Sequence, residues 1–442
     1  MKGNTAKIGV LIFLFLLTLG LLSYGIPREN FIIYFAVYAI LFSVYLAVVS
    51  RFLHKRFSFF QLIFTAVVAR LVAFWGIPGL SDDFYRFFWD GHMLLEGINP
   101  YAYSPQEFLT ISSSSYWENL YPFLNSPENF SVYPPINQAI FAIAAWFGGQ
   151  PFIGQLIIIR LILLIFECWS IFLMVRLFEV RGMAQNAAWW YALNPLVIIE
   201  VIGNLHFEGM MLPFILLAVL SLVQGKSLKG GLALGCAVGV KLTPLILIPL
   251  IIRYLGKKKI LLWGIGLVTT LLISFSPLLW GASWLNFWES LSLYYGKFEF
   301  NASIYYLLRE VGYWIKGYNT IVILSKVLAL ITFLLILFFS WTRNNNRKEG
   351  MIQKLPLIYF VFLLFSMVVH PWYLIPLLGL GIVAGMYFPV AWSFLVFLSY
   401  HAYQRQVYQE STIIIILEYA LLFYAIYLDK NKIFHRKTLN FK

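Results

Sequence analysis

Carboxylates and aromatic rings are concentrated in one stretch, LSDDFYRFFWDGHMLLEGINPYAYSP at residues 80–105, of a chain that is 61% hydrophobic. Its acids are Asp82, Asp83, Asp90 and Glu96. A carboxylate can act as the general base that removes the proton of a hydroxyl nucleophile. Neighbouring acids can instead bind a divalent metal ion, or cap a helix beside a solvated charge. Which use applies depends on the elements that position the stretch.

Long apolar segments predict that the chain crosses a membrane. The mean hydropathy is +0.80 and 12% of the residues are charged, against about a quarter in a soluble domain. Several segments have the ~20 apolar residues that a hydrocarbon core requires. They are Ile8–Ile26, Phe31–Val49, Ile153–Val175, Ile260–Leu279 and Ile321–Trp341. We predict an all-α polytopic membrane protein with about 12–14 transmembrane helices.

The distribution of charge predicts the topology. The net charge is +13, and the basic residues lie in short loops and in the tails. The positive-inside rule places those loops and both termini in the cytoplasm, so the basic excess does not indicate nucleic-acid binding. Residues 77–152 instead contain seven acids and one arginine, which predicts a long outer loop. Within it, Ile136–Phe147 is too short to span and is predicted to be a helix at the outer interface.

The chain is predicted to have three parts. Residues 1–56 form two N-terminal transmembrane helices, 57–310 a core with outer loops 77–152 and 280–318, and 311–442 C-terminal helices with a basic cytoplasmic tail. Gly230–Ile252 has basic flanks on both sides and is interrupted midway. We predict that it forms a re-entrant pair of short helices whose tip is Lys241–Thr243, since broken helices are tolerated where they line a cavity.

Five motifs in order resemble the polyprenyl-phosphate-mannose-dependent mannosyltransferases with the GT-C fold. They are Ser81-Asp82-Asp83 with Trp89-Asp90-Gly91 and Asn99-Pro100-Tyr101; Val132-Tyr133-Pro134-Pro135; Leu193-Asn194-Pro195 with Gly203-Asn204-Leu205-His206-Phe207-Glu208; Lys241-Leu242-Thr243-Pro244; and Asn301-Ala302-Ser303-Ile304 with Arg309. The resemblance covers most of residues 57–309. Glu208 departs from the His-x-Asp pattern that the family often has.

The resemblance implies a GT-C-like bundle that transfers a sugar, with mannose as the expected one, from a polyprenyl-phosphate donor to a hydroxyl of a lipid or glycan acceptor. The reaction would be inverting and would take place on the outer face of the plasma (inner) membrane. One outer-loop aspartate would be the general base, either Asp82 or Asp83, with Asp82 matching the first acid of the family motif. The implied substrate-binding residues are Arg70, Arg86, Tyr133, His206, Glu208, Lys241, Asn301 and Arg309.

Structural roles are open for several of these residues. Asp90 and Glu96 are expected to be structural, with Arg86 or His92 as partners. Arg70 could snorkel to the interface instead of binding phosphate. His206 and Glu208 could cap a helix, and Lys241 needs either a charged partner or a phosphate if it lies within the membrane.

Two further questions concern cofactors and the class of function. Asp82 and Asp83 with His206 or Glu208 could bind Mg²⁺ or Mn²⁺, but we expect no essential metal cofactor. A multi-pass transporter or lipid flippase would account for the helices and intramembrane charges equally well, but it would not require the acidic outer loop. A non-catalytic assembly factor would need none of the buried charges. The expected partners are the polyprenyl-phosphate sugar donor, the acceptor and membrane lipids, without nucleic acid.

Overall fold

The computed structural model describes residues 2–53, 58–112, 114–149, 152–342, 348–404 and 408–439. Within these ranges the chain is helical, and its β structure is limited to an isolated bridge between Phe300 and Val368. The predicted all-α class is confirmed. The predicted boundary between residues 56 and 57 lies outside the described residues.

Twenty α-helices are described in this part of the chain. In chain order they are α1 Lys2–Tyr24, α2 Phe31–Phe52, α3 Phe59–Ala73, α4 Phe84–Leu95, α5 Pro105–Ile111, α6 Ser115–Leu120, α7 Pro135–Gly148, α8 Ile153–Arg181, α9 Trp189–Ala192, α10 Pro195–Val197, α11 Glu208–Val223, α12 Ser227–Val240, α13 Ile248–Phe275, α14 Ser283–Lys297, α15 Ile304–Lys316, α16 Ile321–Trp341, α17 Lys348–Phe365, α18 Leu374–Ala384, α19 Phe388–Leu395 and α20 Thr412–Leu439. A π-helical segment, Ile198–Gly203, precedes α11, and a 3-10 segment, Thr243–Leu247, precedes α13.

Five helical segments among the described residues are long and apolar enough to cross a membrane. They are Phe31–Phe52, Ile153–Arg181, Thr243–Leu279, Ile321–Trp341 and Thr412–Asn431. A sixth is added if the bent pair Pro195–Gly203 and Glu208–Val223 is one span. These lengths confirm an integral, polytopic membrane protein, and the larger number of spans expected from the sequence stays a prediction.

The chain divides into two compact units that each combine segments distant in sequence. The first unit consists of Met1–Ala73, Met174–Glu200 and Glu299–Lys442, and the second of Phe74–Leu173 and Val201–Phe298. The acidic outer loop and the interrupted segment around Lys241 both belong to the second unit.

In the first unit, α2 is held by buried tyrosine hydroxyls. The Tyr38 hydroxyl donates to the Ser393 carbonyl oxygen at 2.7 Å, and the Tyr45 hydroxyl donates to the Trp190 carbonyl oxygen at 2.6 Å. Both tyrosines are fully buried. Nearby in the same unit, the Tyr400 hydroxyl donates to the buried Glu200 carboxylate at 2.7 Å. A polar group in an apolar interior is costly unless it is hydrogen-bonded, and these bonds remove that cost.

In the second unit, α12 and α13 form the interrupted segment that the sequence predicts. Helix α12 ends at Val240, and α13 is itself broken at Gly256, where φ is 67°. Gly231 packs against Trp263, and Gly239 packs against Ser274, so α12 runs parallel to the second half of α13. Residues 243–255 therefore run back, and the two basic flanks lie at the same end. The predicted break at Lys241–Thr243 is confirmed, while its depth in a membrane stays a prediction.

A glycine face on α12 permits this close approach. Gly231, Gly235 and Gly239 recur every four residues and so lie on one side of the helix. A Cβ at Gly231 would lie 2.0 Å from the Trp263 carbonyl oxygen, and one at Gly235 would lie 2.5 Å from the Thr270 Cβ. Small residues at such spacing let helix backbones pack closely in membranes.

The predicted interfacial helix Ile136–Phe147 is confirmed as a helix, α7. It packs along α4, and the rings of Phe87 and Phe141 stack at 4.6 Å between their centroids. At its N-terminal end, the Asn137 amide donates to the Val240 carbonyl oxygen at 2.9 Å. That bond ties the acidic loop to the end of α12, directly before Lys241.

Candidate active site

The acidic pair lies at the start of α4, in a turn fixed by hydrogen bonds. The backbone N–H groups of Gly79 and Leu80 donate to the Asn204 Oδ1 atom at 3.2 and 2.9 Å. The Ser81 hydroxyl accepts a bond from the Asp83 N–H at 3.3 Å. Asp83 occupies the N-cap position, but its side chain makes no capping bond. The helix-cap alternative therefore does not describe the Asp83 carboxylate.

The Asp83 carboxylate instead contacts polar groups of the second unit. The Asn125 amide donates to it at 3.4 Å, and the Tyr133 hydroxyl is also hydrogen-bonded to it. Burial raises the pKa of the Asp83 carboxyl above its ordinary value, and the positive charge of Lys241 opposes that rise. The negative charge of the neighbouring Asp82 adds to it. Two carboxylates and an ammonium group thus act on one another at this point, and carboxyl groups with perturbed pKa values are concentrated at functional sites.

Glu208 and Lys241 form an ion pair beside Asp83. Glu208 is the first residue of α11 and its side chain is 2% exposed, whereas the Lys241 side chain is 30% exposed. The Lys241 ammonium donates to the Glu208 carboxylate. The carboxylate also lies at a helix N-terminus, where the helix dipole favours negative charge. Lys241 therefore has the charged partner that its position requires. That partner is Glu208, a glutamate at the position where the family often has an aspartate.

Tyr133 is positioned by its backbone and its ring. The Tyr101 hydroxyl donates to the Tyr133 carbonyl oxygen at 2.6 Å, and the Asn286 amide donates to the Tyr101 carbonyl oxygen at 2.9 Å. The Tyr133 ring meets Phe87 edge-on at 5.0 Å and Phe141 at 5.5 Å. These contacts position the backbone and the ring of Tyr133.

Arg86 and Asp90 form a salt bridge, which agrees with the structural role predicted for Asp90. Their Nε and Oδ1 atoms are 2.7 Å apart, and Asp90 is fully buried. Arg86 also donates to the Asn129 carbonyl oxygen at 3.0 Å, while Ser131 and Gln138 donate to the other carboxylate oxygen. This network ties α4 to the segment that leads into α7. The predicted substrate contact of Arg86 stays a prediction.

His206 lies in the turn that precedes α11. It is 4% exposed and follows Leu205, whose φ of 65° is in the left-handed region that a leucine seldom occupies. The structure thus brings Asp82, Asp83, Tyr133, Glu208 and Lys241 to one place in the second unit, with His206 in the turn adjoining Glu208.

Arg70 belongs to the first unit and does not snorkel. Its side chain is fully buried, and its Nη1 atom donates to the carbonyl oxygens of Ala192 at 2.7 Å and Ala66 at 3.1 Å. Carbonyl oxygens at this distance satisfy part of a buried guanidinium.

Asn301 and Arg309, also in the first unit, are engaged by carboxylates. The Asn301 N–H donates to Glu410 at 2.6 Å, and its amide donates to the buried Glu418 at 3.2 Å. The Arg309 guanidinium lies 2.6 Å from Glu299 and stacks over the Tyr306 ring at 4.4 Å. The structure therefore gives Asn301 and Arg309 partners within the protein, and their predicted substrate contacts stay predictions.

Metal binding has no preformed cluster in the described part of the chain. Three or more His, Cys, Asp or Glu side chains that could hold a metal ion are not found together there. Asp82, Asp83, His206 and Glu208 therefore do not form such a group, and the expected lack of an essential metal cofactor stays a prediction.

Sequence reasoning missed two amides that organise this site, Asn125 and Asn204. Each binds the acidic turn through a single side-chain atom. A lone asparagine in a loop has no periodicity or spacing that would mark it. Asn204 lies within the motif Gly203-Asn204-Leu205-His206-Phe207-Glu208, but only the tertiary contacts define the role of its side chain.

The described residues thus form a polytopic helical membrane protein whose first large loop carries an acidic pair next to an ion pair between a buried carboxylate and a partly exposed lysine. The family model described as alpha-(1->6)-mannopyranosyltransferase, N-terminal domain, matches residues 17–257, more than half of the chain. The chain therefore belongs to this family of mannosyltransferases. The matched residues include every member of the site in the second unit and extend over the C-terminal third of α1 and all of α2, ahead of the core expected from the sequence.

Curated relatives agree with the family match. Alpha-(1->6)-mannopyranosyltransferase A of Corynebacterium glutamicum is 24% identical over 351 residues, 71% of this chain and 68% of that protein. The protein of the same name in Mycobacterium tuberculosis is 24% identical over 41% of this chain and 35% of its own length. Alpha-(1->6)-mannopyranosyltransferase B of C. glutamicum is 25% identical over 32% of this chain and 23% of its own length. The predicted glycosyltransferase class is confirmed.

Proposed function

We propose that the protein transfers a mannosyl group from a polyprenyl-phosphate donor to a hydroxyl of a mannose-containing acceptor, forming an alpha-(1->6) linkage on the outer face of the membrane. The observation that carries this proposal is the cluster of Asp82, Asp83, Tyr133, Glu208 and Lys241 within the part of the chain that the family model matches. The linkage is the one in the names of the relatives.

The chemistry needs one base and cations for the leaving group. The acceptor oxygen attacks the anomeric carbon, the bond from that carbon to the phosphate oxygen breaks, and polyprenyl phosphate departs as a stable anion. The leaving group therefore needs no general acid. The proton of the acceptor hydroxyl passes to a carboxylate. Inversion at the anomeric carbon then gives an alpha product from a beta-linked donor.

Asp82 is the proposed base, and Asp83 is its fixed neighbour. The Asp83 oxygens already accept bonds from Asn125 and Tyr133, which suits a positioning role. Lys241 is the proposed cation for the donor phosphate, because its ammonium is partly exposed while its Glu208 partner is buried. A charge-assisted bond to the departing phosphate stabilises the charge that develops there.

The proposed roles of the remaining residues come from the family resemblance. The resemblance assigns contacts with donor or acceptor to Arg70, Arg86, Tyr133, His206, Asn301 and Arg309. A donor titration at saturating acceptor, comparing Arg309→Ala with wild type, measures the contribution of the guanidinium that the resemblance places at the phosphate.

Asp82→Asn is the test of the base. This substitution keeps the shape of the side chain but removes the basic oxygen, so transfer should fall by roughly two to four orders of magnitude. The assay uses purified enzyme in detergent, polyprenyl-phosphate mannose and an alpha-(1->6)-linked mannoside acceptor, with linkage analysis of the product.

Glu96→Gln serves as the matched control, because Glu96 is an exposed acid just after α4. It should leave turnover unchanged. If Asp83→Asn is inactive and Asp82→Asn is active, the base is Asp83. If both variants turn over normally, the acidic loop does not supply the base and the proposed mechanism is wrong.

A further inference from the structure

Arg160 is a buried arginine of α8 that donates to three backbone carbonyl groups. Its side chain is 2% exposed. The Nη1 atom donates to the Phe74 carbonyl oxygen at 2.6 Å, Nε to Ile202 at 2.8 Å and Nη2 to Gly203 at 2.9 Å. A buried guanidinium is costly unless its donors are satisfied, and each branch of this one has an acceptor.

The three carbonyl groups belong to two chain segments that lead to the site. Ile202 and Gly203 end the π-helical segment, where the last carbonyls of a helix have no partner within it and carry partial negative charge. Phe74 directly follows the end of α3. Arg160 thus joins the segment before the acidic turn to the segment before Glu208.

Asn204 makes the second connection between the same two segments. Its Oδ1 atom accepts from the backbone N–H groups of Gly79 and Leu80. The next residue, Leu205, is fully buried and has a left-handed backbone conformation, which is unfavourable for a residue with a Cβ atom. Such strain persists only where the surroundings over-determine the backbone, and it is often found at functional sites.

We propose that Arg160 and Asn204 are positioning residues for the transfer reaction. Together they hold the turn at residues 79–83 against residues 203–208, and so fix the distance between the acidic pair and the Glu208–Lys241 pair. The catalytic effect that we assign to this geometry rests on the proposed function. Neither side chain is required to touch substrate.

Arg160→Met and Arg160→Lys test the arginine by separating turnover from binding. A displacement of reacting groups by about 1 Å can reduce a rate by on the order of a hundredfold. We expect the maximal turnover of Arg160→Met to fall about ten- to a hundredfold, with the donor KM within about threefold of wild type. Lysine has a single ammonium in place of a three-branched donor, so Arg160→Lys should recover only part of the loss.

Arg176→Met is the matched control, since it makes the same change on the same helix. Arg176 is an exposed residue paired with Glu179 three positions later. Its turnover should equal that of wild type. If the donor KM of Arg160→Met rises while its turnover stays unchanged, the positioning role is overturned.

Asn204→Asp and Asn204→Ala test the second connection without depending on Arg160. Aspartate keeps an acceptor for the Gly79 and Leu80 N–H groups, whereas alanine removes it. We expect Asn204→Ala to lose turnover about tenfold or more and Asn204→Asp to retain more of it. Hydrogen exchange of a peptide covering residues 78–82, followed by mass spectrometry, should be faster in Asn204→Ala than in wild type.

The exchange measurement distinguishes failure of this inference from failure of the proposed function. If wild-type enzyme transfers no mannose but Asn204→Ala exchanges faster in this peptide, the connection exists and the proposed reaction is wrong. If wild type is active and Asn204→Ala changes neither exchange nor turnover, the positioning role is overturned.

Discussion

Lys241 and Glu208 show at the scale of single residues how the site holds charge in an apolar protein. The Glu208 carboxylate is buried and the Lys241 ammonium is partly exposed, so the pair has one solvated end. Removing only one member of a buried pair leaves a charge without compensation, which costs more than the pair contributes. The two residues are therefore expected to depend on each other for stability as well as for activity.

We predict that Lys241→Met will destabilise the protein by roughly 1–3 kcal/mol, less than for a fully buried pair because Lys241 reaches solvent. The double variant Lys241→Met, Glu208→Gln should recover most of that stability and none of the activity. Thermal unfolding in detergent, with a transfer assay on the same preparations, measures both effects.

Lys258→Met is the control for this cycle, because Lys258 is an exposed lysine just after the break in α13 at Gly256. Lys258→Met should change neither the stability nor the transfer activity. If Lys241→Met and Glu208→Gln each destabilise the protein equally, and the double variant recovers none of that stability, the two residues are not coupled.

Most of these residues could be predicted from the sequence because their chemistry is unusual for their surroundings. Acids at the end of an apolar segment and a lysine inside one stand out by type alone. The Arg86–Asp90 bridge is one of the pairings predicted for Asp90 and Glu96 with Arg86 or His92. Asn125 and Asn204 could not be found in this way, since an amide is ordinary in a loop and its partner is set only by the tertiary fold.

The glycine face of α12 governs the packing of the second unit at the scale of its elements. We predict that Gly231→Ala will strongly reduce the yield of folded protein, since its Cβ would lie 2.0 Å from a backbone carbonyl oxygen that cannot rotate away. Overpacking of this kind costs about 1–3 kcal/mol or more. Size-exclusion chromatography in detergent, with the melting temperature of the monodisperse fraction, measures the loss.

Gly264→Ala is the matched substitution, on α13 rather than α12. A Cβ at Gly264 has no neighbour within 4 Å. Its yield and melting temperature should equal those of wild type or exceed them slightly, because alanine favours a helix over glycine by roughly 1 kcal/mol. If the two variants behave alike, close packing at Gly231 is not what holds α12 to α13.

Hydropathy found the long helices and the break at Lys241, since both depend on the order of apolar and basic residues. It did not find α4, α5 and α6, which lie in the segment described from sequence as an outer loop. A helix of six to twelve residues with polar positions is shorter than the span-length pattern that hydropathy detects. The four-residue glycine spacing on α12 was available in the sequence and would have indicated its packing face.

Orientation in the membrane concerns the whole molecule, and the charge distribution predicts it. In a variant lacking Cys168 and Cys236, cysteine introduced at Ser126 should react with an impermeant thiol reagent added to intact cells. Cysteine at Gln224, an exposed position beside Lys226, should react only after permeabilisation. The reverse pattern would overturn the outward orientation of the acidic loop and the side proposed for the chemistry.

The family match covers only part of the residues to which the resemblance assigns substrate contacts. The match ends at residue 257, so Asn301 and Arg309 lie beyond it, in a part of the first unit that the resemblance alone connects with substrate. Their contacts with Glu410, Glu418 and Glu299 are formed within that unit. The donor titration of Arg309→Ala is therefore the direct test of the substrate contact that the resemblance assigns to Arg309.

The hairpin of α12 and residues 243–255 sets a requirement on biosynthesis. Fourteen helical residues rise about 21 Å, so α12 cannot be retained across a bilayer as an independent span, and the turn after it carries an ammonium group. Its counter-ion, Glu208, lies on the helix synthesised immediately before, and its packing surface lies on the segment synthesised immediately after. We expect α11, the hairpin and the second half of α13 to leave the insertion machinery together, as one cooperative unit rather than as successive helices.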